Sequence, residues 1–192
     1  SVLLGIVIGS LVIARRLDGL RNPVGALAVL EILVCATTLL AGFILAAIVP
    51  GRGELFILVA TFLILLVPNA LLGATVPLAG KIHTRDLARL GRGIGDVYSA
   101  NVLGGVVGSA INGFVLIPLL GSQGTLLALA LVSLAVGVAL ARAAGGIRRT
   151  VLAAGIVPAV GLAVFMLAQP GILMDGAFRT LMPHHRVLFN KE

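Results

Sequence analysis

Long apolar runs separated by short polar stretches dominate this chain. Val24 to Val49, Leu55 to Ala79, Ile94 to Ile117, Thr125 to Ala144 and Val151 to Leu167 each extend for seventeen residues or more and contain at most one charged residue. A shorter run, Val2 to Ala14, opens the chain. A hydrocarbon core about 30 Å thick is crossed by roughly 20 helical residues, so each longer run is a spanning candidate. The pattern predicts an all-α fold: a polytopic transmembrane helix bundle of about six spans over residues 1–168. A mixed extramembrane tail follows over 169–192, starting at Gln169, Pro170 and Gly171. At about 1.5 Å per residue the opening run reaches only about 20 Å, so it crosses only if further residues precede it. The chain begins with Ser1 rather than Met, which predicts an incomplete first helix. A secretory signal peptide would place basic residues before its apolar run, whereas Arg15 and Arg16 follow this one.

Composition reinforces the pattern. Hydrophobic residues make up 59% of the chain, and the mean hydropathy is +1.18. The 25 glycines would weaken helices in water, but glycine and proline are commoner in membrane helices, where neighbouring helices re-satisfy the backbone. Tryptophan is absent and aromatic residues are few, so the usual interfacial belt is weak. The lone Cys35 excludes a disulfide framework or a thiolate metal site within one chain.

A net charge of +7 in a soluble domain would suggest nucleic acid. Here the basic residues lie in alternate loops. Arg15, Arg16 and Arg21 follow the first run, Lys81, Arg85, Arg89 and Arg92 the third, and Arg142, Arg148 and Arg149 the fifth. Of the intervening loops, one balances Arg52 with Glu54 and the other, around Leu120 to Gly124, has no charge. This is the positive-inside alternation, and it predicts that the basic segments after residues 14, 80 and 141 face the cytoplasm, with the lipid bilayer as partner and no nucleic acid. With six crossings the tail then lies on the outer face. Within the tail, Arg186 to Lys191 has a strand-like composition. The stretch from Lys81 to Arg92 reads as a short basic amphipathic helix in the interface plane, ended by Gly91 and Gly93.

Polar residues inside the apolar runs are the chemical candidates. Glu31 lies within a 26-residue run, where a carboxylate costs about 2.5 to 3.5 kcal/mol at helix centre on insertion scales. It serves either proton or cation coupling or an interhelical hydrogen bond, with an Asn or Tyr as a fitting partner. Asn69 belongs to a run with Pro68, Gly73 and Pro77, a set that would bend or interrupt a helix and free carbonyls for a ligand, or simply kink it. The next run carries Asp96, Tyr98 and Asn101, and Asp96 follows Arg92 by one turn, a pairing distance. Asn101, Gly104, Gly108 and Asn112 recur at three and four residues and share a helical stripe. Gly104-x-x-x-Gly108 is the spacing of close helix packing, with a substrate path along the groove as the alternative. Gly5 and Gly9 repeat that spacing in the opening run. His184 and His185 are adjacent, which on a strand points them to opposite faces, so no metal site is read there. No dinucleotide fingerprint and no nucleophile with a base at motif spacing occurs, and no cofactor is expected.

Several segments together resemble the membrane portion fused to spermidine synthase-like (polyamine aminopropyltransferase) domains in bacteria, itself similar to half of a major facilitator transporter. They are Gly9-Ser-Leu-Val-Ile-Ala-Arg-Arg, Gly73-Ala-Thr-Val-Pro-Leu and, above all, Arg85-Asp-Leu-Ala-Arg-Leu-Gly-Arg-Gly-Ile-Gly-Asp-Val-Tyr-Ser-Ala-Asn-Val-Leu-Gly-Gly-Val-Val-Gly-Ser. Gly113-Phe-Val-Leu-Ile-Pro-Leu-Leu-Gly continues it, and His184-His-Arg-Val-Leu-Phe-Asn-Lys-Glu is similar to the lead-in of the synthase domain. The resemblance implies a bacterial cytoplasmic membrane and a fused domain beyond Glu192. The Gly-rich loop and acidic residues that hold decarboxylated S-adenosylmethionine and the amine in that family would lie there, so no catalytic residue is carried over and the chain as it stands is not expected to be an enzyme. The expected function is a non-catalytic membrane domain, an anchor or helix-packing scaffold for a partner. Two alternatives are a small-cation or polyamine transporter using Glu31, and an accessory subunit of a larger respiratory or photosynthetic membrane complex.

Overall fold

The computed structural model describes residues 1–48, 52–83, 90–145, 156, 157, 159–164 and 168. Among these residues every regular element is helical. The order is α1 (Val2–Ala14), α2 (Pro23–Ile48), α3 (Glu54–His83), α4 (Leu90–Ile111), a π-helical turn (Asn112–Leu116) and α5 (Ile117–Ala143). The tail and its strand-like segment, together with Arg85, Arg89, Arg148, Arg149, His184 and His185, lie outside the described residues.

Local chemistry sets the helix ends. Asn22 caps α2: its Oδ1 accepts the Gly25 N–H at 2.9 Å, and Pro23 follows where a missing N–H costs nothing. Glu54 occupies the first turn of α3 and Lys81 its last, each charge complementing the helix dipole. Pro68 and Pro77 both lie inside α3, and of the bend or interruption that their spacing suggests, the interruption does not occur. Proline removes one intrahelical bond, which for Pro68 is the one to the Ile64 carbonyl. The Asn69 side-chain amide donates to the neighbouring Leu65 carbonyl at 2.6 Å, adding a local bond beside the gap.

Among the described residues three helical stretches are long and apolar enough to cross a membrane: Pro23–Ile48, Glu54–His83 and Gly91–Ala143. The last is 53 residues long, about 80 Å if straight, so it fuses two of the runs read from hydropathy. Its helical geometry breaks at Gly121, where φ is 67° and ψ is 175°, within the uncharged stretch predicted to turn. A positive φ of this kind is accessible to glycine without a Cβ penalty. At the other end, helix runs through Gly91 and Gly93, so these glycines do not end an interfacial helix as expected. The final run, Val151 to Leu167, is described only in part and is helical where described.

Packing centres on two seams, α1 with α3 and α2 with α5, joined by the contact of α2 with α3. Along α2, Gly25, Ala28, Ile32, Cys35, Leu39 and Gly42 are buried at alternating spacings of three and four residues, the repeat that keeps one narrow stripe facing a partner helix. Cys35 and Leu39 join Leu127 and Ala130 of α5 and the helical residues Ala159 and Ala163 in one apolar core. Helix α4 touches α3, yet from Ile94 to Ile111 every residue is exposed except the half-buried Val97.

Two side-chain bonds gather one end of the bundle. Lys81 Nζ at the end of α3 donates to the Leu17 carbonyl in the connector after α1. Asn22 Nδ2 at the end of that connector donates to the Ala144 carbonyl just past α5 at 3.3 Å. Described parts of the three basic segments therefore meet on one side of the fold.

Candidate functional site

The closest helix contact is built on glycine. A Cβ on Gly5 would lie 2.7 Å from the Asn69 Cβ, and one on Gly9 would run into the Ala70 carbonyl, with the Ala70 carbonyl carbon at 2.6 Å. The fit is reciprocal, because a Cβ on Gly73 would strike the Ile6 backbone. Absent side chains on both helices let the α1 and α3 backbones touch. Asn69 thus forms part of a packing wall.

Gly104 and Gly108 share the spacing but not the surroundings. A Cβ added at either, or at Gly105, would have no neighbour within 4 Å. Asn101 is exposed beside them, whereas Asn112 opens the π turn and is half-buried. The Asn112 Oδ1 is buried without a hydrogen-bond partner. The stripe read from the sequence is therefore present as exposed surface on α4 and ends in a different kind of turn.

Glu31 belongs to the second seam. Its side-chain hydrogen-bond partner is Ser133 of α5, rather than an Asn or Tyr. One turn after Ser133, a Cβ on Gly137 would approach the Ile32 Cγ1 at 2.8 Å, the Ala28 carbonyl at 3.1 Å and the Glu31 Cβ at 3.2 Å. Gly137 thus lets α5 come close enough for the Ser133 hydroxyl to reach the carboxylate. The missed signal was Ser133-x-x-x-Gly137-x-x-x-Ala141, a small residue at every fourth position.

The remaining polar candidates do not join Glu31. Asp96 pairs with His83 of α3, Oδ2 to Nε2 at 3.8 Å, rather than with Arg92. Both side chains are more than half exposed, and such pairs contribute little in water. Tyr98 is also exposed, at 63%. Glu31, Asn69 and the Asp96–Tyr98–Asn101 group sit on three different helices, and the side-chain partners of Glu31, Asn69 and Asp96 are Ser133, Leu65 and His83 respectively. Among the described residues no group of three or more His, Cys, Asp or Glu side chains could hold a metal ion.

Comparison of the chain with protein-family models, curated proteins and solved structures yields no match.

Proposed function

We propose that this chain is an integral-membrane, non-catalytic helical scaffold of the spermidine synthase-like membrane type, which offers α4 to a protein partner or a fused domain. The observation that carries this reading is the contrast between two equally spaced glycine pairs. Gly5 and Gly9 are occupied by α3, whereas Gly104 and Gly108 meet nothing. In hydrocarbon, the exposed Asn101 amide beside them favours a protein neighbour able to hydrogen-bond it. About six crossings follow if the segments on either side of Gly121, α1 and the final run all span. The basic segments then face the cytoplasm of a bacterial inner membrane, a side assignment supported by their meeting at one end. A photo-crosslinker at Val107 in native membranes is expected to yield one protein adduct of fixed mass. Capture of lipid alone would overturn the reading.

A second reading, transport of a small cation such as a polyamine, draws on the carboxylate in the α2–α5 seam with Ser133 as its partner. On this reading Glu31→Gln abolishes uptake into vesicles while the protein remains folded, and unchanged uptake removes its support.

A further inference from the structure

We infer that Arg21 and Arg142 form a binding site for the phosphate of an anionic phospholipid, built by the Asn22–Ala144 hydrogen bond; the inference rests on the membrane reading above but not on any partner of α4. Arg21 immediately precedes the bridging Asn22, and Arg142 lies two residues before the accepting Ala144. The bond spans 122 positions of the chain, so it holds the connector that carries Arg21 beside the last turn of α5, which carries Arg142. Both side chains are exposed. Among the described residues the ion pair His83–Asp96 and the cation–π contact Arg52–Phe56 involve neither arginine.

The surroundings favour an anion. Arg15, Arg16 and Lys81 stand at the same end, held by the Lys81 bond to the Leu17 carbonyl, and Asp18 is the one acid in the connector. Guanidinium groups match phosphate oxygens in a planar, bidentate geometry, which Lys81, already bound to a carbonyl, cannot offer. The ligand's second half is set by α5 itself. Leu129, Val132 and Val136 are exposed on α5, whose last turn carries Arg142, so the same helix offers acyl chains apolar surface. A phosphate above and hydrocarbon below describes a phospholipid rather than a free anion.

The test uses native mass spectrometry of the chain from mild detergent with phosphatidylglycerol or phosphatidylcholine added. Phosphatidylglycerol should be retained about tenfold better, and R21Q/R142Q should lose that preference. R52Q, which removes the arginine over Phe56, should keep it. Equal retention of the two lipids by the unaltered protein overturns the site, as does an unchanged preference in R21Q/R142Q. Full displacement of phosphatidylglycerol by inorganic phosphate would assign the arginines to a free anion and overturn the lipid. If the double variant fails to fold, the single R142Q variant and the salt dependence of the unaltered protein decide: the preference should shrink in both.

Discussion

At the scale of single residues, two glycines with the same spacing carry opposite expectations. Gly9→Ala places a methyl group into the Ala70 backbone, and because backbone cannot rotate aside, the overpacking should cost about 1 to 3 kcal/mol. Gly104→Ala meets nothing and should be neutral or stabilising by up to about 1 kcal/mol through helix propensity. Thermal unfolding of both variants in detergent checks the contrast, and equal melting temperatures would contradict it. Ser133→Ala removes the partner of Glu31 and should cost about 0.6 kcal/mol, the typical worth of an interhelical hydrogen bond in a membrane bundle. The sequence carried the glycine spacings and singled out Glu31. It could not say which pair was occupied or that the carboxylate would meet Ser133, because both answers depend on which helices become neighbours.

At the scale of elements, hydropathy located α2 and α3 to within a few residues, since a run of apolar side chains ends where polar ones begin. Its errors share one cause. Pro68 and Pro77 in α3, and Gly91 and Gly93 in α4, are breakers in water, yet α3 continues through both prolines and α4 takes both glycines into its first turn. In an apolar setting an unpaired backbone group costs several kcal/mol, so a helix keeps every bond it still can. Asn22 ties two elements and makes the sharpest test at this scale. Asn22→Ala should lose both the α2 cap and the bond to Ala144, costing about 1 kcal/mol from the cap alone. Hydrogen exchange should rise at the start of α2 and at the end of α5 together, and a change confined to α2 would deny the coupling.

At the scale of the whole molecule, the charge pattern and the fold agree on which segments share an end, although each is blind to the other's argument. Single cysteines introduced at Arg16 and Arg142 in a Cys35→Ser background should react with a membrane-impermeant thiol reagent from the same side. One at Ser122, beside the Gly121 break, should react from the opposite side; labelling of all three from one side would remove a crossing between them. The π turn of Asn112–Leu116 has a consequence for any partner of α4. A π turn takes one residue more than an α turn, so the helix beyond it is rotated by about 100° from the phase of the helix before it. A neighbour following Asn101, Gly104 and Gly108 keeps its register only to Ile111, after which the surface under it belongs to a different side of the rod. Whatever seats on this helix therefore meets a defined end point, and deleting one residue from the turn would move that end without touching a single glycine.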